Sequence, residues 1–364
     1  MKTNRHPNSR PRRHRCAPGF LLVVIAAILV VALPAGGASA KPPPRPLYWG
    51  AQIGPQMTGE AAPWDMNAVF KFEHMVGKRM SIVSFSSPFA ECREGRCNFI
   101  NFPFTPLENV RNHDAIPFFS WSSSATPEES DQSPYRLENI LNGSLDPYLR
   151  KFAESARDWG HPFFLRFNWE MNGFWFPWSE GLNGNKPGEF VPAWHHIHRI
   201  FAEVGANNVS WVWCPNVDFT RKLIPLKSVY PGDEYVDWTC MDGFNWGKRH
   251  DSAGWQSFNE VFSETYRRVR KIAPHKPMVL GEVASNEIGG SKAAWIRNML
   301  RIVPSRYRKI RALIWFDVVD RNTHWPVESS KASINAFGKG IRRRPFRPNT
   351  FGDISTSPIP PLSW

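Results

Sequence analysis

One carboxylate, Glu170, lies within residues 166–178, a segment that is rich in aromatic rings and hydrogen-bond donors. Burying a carboxylate among aromatic rings costs free energy unless its ionisation is put to use. A carboxyl group can transfer a proton, polar donors can bind hydroxyl groups, and flat rings can cover the faces of sugars. We therefore expect Glu170 to act in the cleavage of glycosidic bonds. The alternative is a salt-bridged or exposed glutamate in a loop.

A second carboxylate, Glu282, follows a short apolar run at residues 277–281. In α/β barrels, groups at the carboxyl ends of the strands face the active site. Two glutamates at the ends of two different strands can therefore face each other across a cleft. For Glu282 as well, the alternative is a salt-bridged or exposed loop residue.

The elements that must position these glutamates are short apolar runs separated by amphipathic stretches, which indicate parallel βα units. The predicted strands are residues 47–53, 80–85, 115–121, 162–167, 209–214, 235–244, 277–281 and 312–317. Helical patterns include residues 145–159, 187–204, 257–272 and 292–303. Eight such units in roughly 300 residues predict a single (β/α)8 TIM barrel of the α/β class. A doubly wound open sheet is the alternative, but no glycine-rich phosphate loop follows any strand.

Residues 1–40 are typical of a secretory signal peptide. Basic residues precede an apolar core at residues 20–33, and Ala38-Ser39-Ala40 predicts cleavage before Lys41. An uncleaved membrane anchor is the alternative. We expect a secreted, extracellular protein with a Pro-rich lead-in at residues 41–46 and a catalytic domain at residues 47–340. The basic, Pro-rich tail at residues 341–364 is expected to be extended and loosely attached.

The cysteine count favours disulfides, because four of the five cysteines follow the signal segment in an exported chain. Cys92 and Cys97 flank a plausible tight loop and are expected to bridge. Cys214 and Cys240 lie near the ends of successive predicted strands and either bridge or remain buried free thiols. The cysteine spacings do not match a zinc finger or ribbon, so no metal site is expected.

The formal net charge of +13 arises partly from the signal segment and the tail. No nucleic-acid-binding motif accompanies this charge, so nucleic acid is not an expected partner. We expect a monomer that has no stable membrane association after signal cleavage. The expected partner is a polysaccharide. No cofactor is needed, because pairs of carboxylates cleave glycosidic bonds unaided.

Residues at or just past the predicted strand ends are the candidates for substrate contact. The chain has 17 tryptophans; exposed rings suit sugar faces, but tryptophan is on average highly buried, so about half of those at strand ends should be packing. The residues that we expect to bind substrate are Arg166, Trp169, Asn172, Trp175, Trp178, Asn245 and Trp246.

The segment around Glu170 resembles the acid/base motif of glycoside hydrolase family 26, and similar segments span about residues 47–325. Its matching residues are Arg166, Glu170, Met171, Asn172, Gly173 and Trp175. Further similar segments are residues 211–216, 230–237, 241–246 and 277–285. The family comprises retaining β-glycanases on a (β/α)8 barrel, mostly endo-β-1,4-mannanases with some β-1,3-xylanases and mixed-linkage β-glucanases. The resemblance implies that Glu170 is the acid/base, Glu282 the nucleophile and Trp175 part of the sugar platform.

Two positions depart from the family pattern. Trp169 stands where the family usually has histidine, and Phe244 stands where a tyrosine hydroxyl often bonds the nucleophile. Phe244 either lies at the site or is simply core. The resemblance predicts a secreted, endo-acting retaining β-glycanase with β-1,4-mannan as leading substrate; mixed-linkage β-glucan and β-1,3-xylan stay open. The other hypotheses are a catalytically weak glycan-binding barrel and a cell-wall protein that depends on its basic tail.

Overall fold

The computed structural model of the protein describes residues 43–220, 222–249, 254–320 and 323–363. The expected signal segment, residues 1–40, lies outside this range. The strands of the described residues are β1 (Tyr48–Ile53), β2 (Ile82–Arg93), β3 (Arg96–Phe99), β4 (Ile116–Thr126), β5 (Phe163–Phe167), β6 (Val209–Trp213), β7 (Trp238–Asn245), β8 (Met278–Ser285) and β9 (Ile310–Asp317).

Eight of these strands form a closed parallel barrel. The order in the sheet is β1-β9-β8-β7-β6-β5-β4-β2, and parallel pairing of β1 with β2 closes the ring. The ninth strand, β3, pairs antiparallel with the end of β2 and lies outside the ring. This arrangement confirms the predicted (β/α)8 barrel, and it brings the carboxyl ends of all eight parallel strands to one face.

Helices connect the strands around the outside of the barrel. They are α1 (Met66–Val76), α2 (Phe104–Asn112), α3 (Leu137–Leu141), α4 (Asp146–Trp159), α5 (Phe190–Val204), α6 (Phe258–Ile272), α7 (Lys292–Arg306) and α8 (Lys331–Ile341). Their ends follow local sequence signals: Ser257 and Glu260 form a capping box at the start of α6, and α4 ends at Gly160 in the left-handed conformation. Within the described ranges, no helix has the length and apolar character required to cross a membrane.

Two apolar layers result from the alternation of side chains along the strands. Phe118 and Phe164 belong to the cluster that fills the barrel interior. Their neighbours Phe119 and Leu165 belong to the larger cluster between the strands and the helices. Because both faces of each strand are buried, the strands are nearly continuous apolar runs, and a polar residue within a strand needs a specific partner.

Two disulfides are present in the described residues. Cys92 and Cys97, the pair expected from the sequence, are bonded and are also register partners of the β2–β3 hairpin. The two residues of its tight turn, Glu94 and Gly95, both have positive φ, which suits a two-residue hairpin turn. Cys214 and Cys240, left open by the sequence, are also bonded to each other.

The prediction of a loosely attached C-terminal tail is wrong. Between α8 and residue 363, the last one described, there is no further helix or strand, but Ile359 is 1% exposed and packs with the interior cluster of the barrel. The indole of Trp238 donates to the carbonyl oxygen of Ile359 (2.8 Å), and the Ile359 amide donates to the hydroxyl of Ser210 (2.8 Å). Since Trp238 and Ser210 lie at the beginnings of their strands, the tail covers the amino-terminal end of the barrel.

We expect Ile359→Ala to lower the free energy of unfolding by about 2–5 kcal/mol, because the substitution leaves a cavity among buried apolar groups. The shift of the denaturant midpoint at unchanged slope measures this loss. Ile288→Ala is the matched control, because Ile288 is 45% exposed and its truncation should leave the midpoint nearly unchanged. Equal midpoints for wild type and Ile359→Ala would contradict a docked tail.

Candidate active site

Glu170 follows strand β5 in an unusual backbone conformation. Asn168 and Glu170 both have left-handed φ angles, 42° and 53°, which cost a residue other than glycine roughly 1–2 kcal/mol each. Tertiary hydrogen bonds hold this turn: the Glu170 amide donates to the carbonyl oxygen of Cys214 (2.7 Å), and the Ser123 amide donates to Asn168 Oδ1 (2.8 Å). The turn places the Glu170 side chain at the carboxyl end of the barrel.

Two nitrogen donors hold the carboxyl group of Glu170. The indole Nε1 of Trp175 donates to Oε2 (2.7 Å), and Nδ2 of Asn216 donates to Oε1 (2.9 Å). Burial raises the pKa of Glu170 from its usual 4.5 to about 7, and the nearby charge of Glu282 acts in the same direction. The two donors oppose this shift only partly. A carboxyl group with this pKa is protonated in much of the population near neutrality, as a proton donor requires.

Gly173 makes room for the indole that contacts Glu170. A Cβ atom at Gly173 would lie 2.5 Å from the nearest ring carbon of Trp175, and any larger residue would displace the ring. Because Gly173 has no side chain, the indole of Trp175 has room to lie where it donates to the carboxyl group of Glu170.

Glu282 lies on strand β8 beside a register shift. Asp242 on β7 is the register partner of Glu282, whereas Met241 pairs with Leu280, so Gly281 is the extra residue of a bulge. A Cβ atom at Gly281 would lie 2.6 Å from Oδ1 of Asp242. The bulge and the glycine together allow the carboxylates of Asp242 and Glu282 to lie side by side.

A buried guanidinium group joins these two carboxylates. Arg166, which is 0% exposed, donates from Nη1 to Asp242 Oδ2 (2.8 Å) and from Nη2 to Glu282 Oε1 (2.6 Å). Its Nε donates to the hydroxyl of Ser120 (2.7 Å). Complete burial raises the pKa of Asp242 well above its ordinary value, although the charge of Arg166 opposes this shift. The charge-assisted bonds to Arg166 fix the direction in which Glu282 points.

Oxygen atoms of Glu170, Asp242 and Glu282 lie within 4.8 Å of one another. Two carboxyl groups roughly 5–5.5 Å apart are typical of retaining glycosidases, whereas inverting enzymes hold them roughly 6.5–9.5 Å apart. The same three acids have the donor atoms for a metal ion, but two of them already bind the positive charge of Arg166. The arrangement therefore suits acid–base and nucleophilic chemistry by the glutamates themselves.

Four of the predicted substrate contacts are buried structural residues instead. The buried guanidinium of Arg166 is not available to a substrate, because it already bonds Ser120, Asp242 and Glu282. Asn172 is 0% exposed and holds the loop after β6 by bonding the backbone N–H and C=O of Asn216.

Trp178 and Asn245 are the other two predicted substrate contacts that are buried in the structure. Trp178 is 3% exposed, stacks on Phe176 and donates to the carbonyl oxygen of Trp169. Asn245 is 0% exposed and uses its side chain to bond Ser285 and neighbouring backbone amides. Both residues shape the loops that carry the site.

The remaining predicted contacts are half-buried aromatic rings around the two glutamates. The Trp169 ring lies 5.0 Å from the guanidinium carbon of Arg166. Trp175 contacts Glu170 directly, and Trp246 packs against Trp325, whose ring also contacts Phe244. Phe244 is half-buried and packs against the larger apolar cluster through the rings of Trp246, Phe316 and Trp325, in agreement with the core alternative. Trp175 thus contacts Glu170, and Trp246 belongs to a separate group of packed rings with Trp325 and Phe244.

Sequence reasoning missed Asp242 and Asn216 as members of the site. Asp242 is an acidic residue inside the otherwise apolar strand β7, which is a signal that could have identified it. Asn216 lies just past β6, where a donor can reach Glu170. Ser120 gave no such signal, because a single serine in a strand is common.

The model of glycosyl hydrolase family 26 matches residues 54–299 of the chain. Endoglucanase H of Acetivibrio thermocellus is 33% identical over 282 residues, which cover 76% of this chain and 29% of that protein. A β-1,3-xylanase of a Vibrio species, TXYA, is 26% identical over 130 residues, which cover 33% of this chain and 26% of that protein. The chain thus spans less than a third of the length of these curated relatives.

Solved structures with the same fold include family 26 enzymes. The family 26 domain of a Prevotella bryantii endo-β-mannanase/endo-β-glucanase matches with a TM-score of 0.60 and 17% identity, over 85% of this chain and 93% of that chain. The Bacillus subtilis mannanase BCman matches with a TM-score of 0.55 and 20% identity, over 82% and 86% of the two chains. At these identities the likeness establishes the barrel fold.

Proposed function

Because the chain belongs to glycosyl hydrolase family 26 and is a glycoside hydrolase, we propose that it is an endo-acting β-glucanase that retains anomeric configuration. The observation that carries this proposal is the short separation of Glu170 and Glu282: one carboxylate oxygen of each lies within 4.8 Å of the other. Such a pair can form and then hydrolyse a covalent glycosyl-enzyme intermediate.

In the first step, the carboxylate of Glu282 attacks the anomeric carbon while Glu170 donates its proton to the glycosidic oxygen. The bond between carbon and oxygen breaks, its electron pair goes to the oxygen, and the shortened chain leaves as an alcohol. Arg166 holds one oxygen of Glu282 at 2.6 Å and thereby orients the attacking carboxylate. Glu170 can supply the proton because its pKa is raised to about 7.

In the second step, Glu170 acts as a base. It accepts a proton from a water molecule, whose oxygen attacks the anomeric carbon and releases Glu282 as a carboxylate. Two inversions at the same carbon give overall retention. Because Glu170 is again protonated and Glu282 again ionised, the enzyme returns to its starting state and no cofactor is consumed.

The choice of a β-glucan rests on the relative of highest identity reported above, Endoglucanase H at 33%. β-1,4-Mannan, the leading substrate from the family resemblance, is the second candidate, and β-1,3-xylan is the third. Trp169 and Phe244 present aromatic surfaces where the resemblance expects a histidine and a tyrosine hydroxyl. The polar contacts that a histidine and a tyrosine hydroxyl would make near the reacting sugar are therefore altered in this chain.

Release of reducing ends from a panel of polymers tests the proposed function. The protein beginning at Lys41 is incubated with barley β-glucan, glucomannan, galactomannan and β-1,3-xylan, and Glu170→Ala is the control. We expect wild type to release reducing ends from barley β-glucan and Glu170→Ala to release none. Release from galactomannan alone would establish the mannanase alternative, and polymer binding without any release would establish a glycan-binding barrel.

The value of kcat/KM on the polymer should fall as the pH rises through about 7, because Glu170 then loses the proton that it must donate. A pH profile of initial rates measures this basic limb. An aryl glycoside with a strongly acidic phenol as its leaving group is the control, since it needs no proton and its kcat/KM should not show the limb. An identical basic limb for both substrates would assign it to another group.

We also propose that the protein is secreted after cleavage before Lys41 and acts as a monomer on polysaccharide outside the cell. The basic and apolar segments within residues 1–40 support this proposal. Amino-terminal sequencing of protein from the culture medium tests it: a start at Lys41 is expected, and retention of residues 1–40 in a membrane fraction would contradict it.

A further inference from the structure

Two aromatic rings extend from the acid/base side of the site toward solvent. Trp175 donates to Glu170 Oε2 at 2.7 Å, and Phe219 stacks on Trp175 with ring centroids 6.0 Å apart and an angle of 28° between the planes. Phe219 is 61% exposed, and the adjoining Phe174 is 49% exposed. Single exposed apolar residues are common, but three adjoining rings beside Glu170 form a patch that suits a ligand.

The residue before Phe219, Asp218, is held by two polar contacts, one to its backbone amide and one to its carboxylate. The Asp218 amide donates to the hydroxyl of Thr265 (2.8 Å), and Arg268 donates to the Asp218 carboxylate (2.7 Å). The exposed ring is therefore presented by an anchored segment. Because the backbone at Phe219 is already held in place, less conformational entropy is lost when a ligand binds to the ring.

The chemistry of the acid/base determines which sugars this patch can meet. Glu170 gives its proton to the oxygen of the leaving group, so the groups that contact its carboxyl from the outside lie on the leaving-group side. In the proposed reaction, Glu282, held by Arg166, instead contacts the sugar whose anomeric carbon reacts. The rings of Trp175 and Phe219 therefore extend from Glu170 toward the side on which the leaving chain would lie.

We propose that Phe219, stacked on Trp175, forms a subsite for the sugar residues on the leaving-group side of the bond that is cleaved. This inference rests on the proposed function and adds a residue that the family resemblance does not assign. The ring of Phe219 offers an apolar face to the C–H groups of a pyranose. The same subsite receives acceptor sugars in the second step, and it therefore favours transfer to carbohydrate over transfer to water.

The test compares Phe219→Ala with wild type on the polymer and on an aryl glycoside that carries the same donor sugars. The loss of kcat/KM should be about three- to tenfold greater on the polymer than on the aryl glycoside, as expected for one aromatic contact. The ratio of transfer products to hydrolysis products should fall as well. Phe219→Trp should keep the wild-type ratio, whereas Phe219→Leu should lose it, because leucine is apolar but has no flat face.

Phe70→Ala is the matched control, since Phe70 is 51% exposed and lies on α1; it should behave as wild type in every assay. Equal losses of Phe219→Ala on both substrates, or no loss, would overturn the subsite while leaving the proposed function intact. Calorimetric titration with a soluble oligosaccharide separates the two failures. If wild type cleaves nothing but Phe219→Ala weakens binding, the ring of Phe219 binds carbohydrate, but the glycosidase proposal fails and the assignment of the ring to the leaving-group side fails with it.

Discussion

Glu282→Ala should reduce turnover of the polymer by at least about 10⁴-fold, because the variant has no group that can form the glycosyl-enzyme intermediate. The protein should remain folded, since Arg166 keeps its ion pair with Asp242 at 2.8 Å. Reducing-end release measures the loss, and circular dichroism checks the fold. Turnover near the wild-type rate in a folded variant would remove Glu282 from the mechanism.

Azide distinguishes the roles of the two glutamates. In Glu282→Ala, azide can occupy the space of the missing carboxylate and attack an activated aryl β-glycoside, giving an α-glycosyl azide. In Glu170→Ala, Glu282 still forms the intermediate, and azide then attacks from the opposite face to give a β-glycosyl azide. The account predicts this pairing of variant and product, and the reverse pairing would exchange the assigned roles.

Arg166→Met should lower the free energy of unfolding by about 3–5 kcal/mol, because it leaves two buried carboxylates without the cation that they share. Arg166 is 0% exposed, and its partners Asp242 and Glu282 are 0% and 7% exposed. Turnover should fall by about 100-fold or more, since Glu282 is no longer held in the direction of attack. Denaturant unfolding and initial rates measure the two effects.

Two further variants make this prediction specific. Arg166→Lys keeps the charge but cannot bond Ser120, Asp242 and Glu282 with one planar group, so its stability and turnover should lie between those of wild type and Arg166→Met. Arg93→Met removes an exposed arginine that pairs with Glu91 and should leave the unfolding midpoint unchanged. Wild-type stability and turnover in Arg166→Met would show that the buried ion pairs do not organise the site.

The barrel was predictable because its signal is repeated along the chain. All eight predicted strand regions overlap strands of the barrel, and their spacing left room for a helix after most of them. Glu170 and Glu282 were identified by the same logic, since each follows or ends an apolar run. Position in a parallel barrel places such residues at one face without knowledge of side-chain contacts.

The direction of loop side chains was not predictable. Asn172 and Trp178 lie in the loop after β5, and Asn245 is the last residue of β7. Each side chain turns inward to bond backbone groups of the loops. An amide or indole that can bind a sugar hydroxyl can equally satisfy a buried carbonyl or amide. Only the tertiary arrangement determines which of the two partners is available.

The attachment of the tail was not predictable from its composition, because a few apolar residues determine it. Five prolines recur in the segment after Arg344, and a proline-rich composition is typical of disorder. Four spaced apolar residues nevertheless cover the end of the barrel: Phe351, Ile354, Ile359 and Leu362. A barrel interior needs closing at its amino-terminal end, and this requirement appears only once the closed sheet is known.

The anomeric configuration of the first product tests the central claim most directly. Proton NMR follows the cleavage of a β-linked oligosaccharide and records the new reducing end before it mutarotates. Because one carboxylate oxygen of Glu170 and one of Glu282 lie within 4.8 Å of each other, we predict that the β-anomer appears first. Initial release of the α-anomer would show a single inverting displacement and would contradict the assignment of Glu282 as a nucleophile.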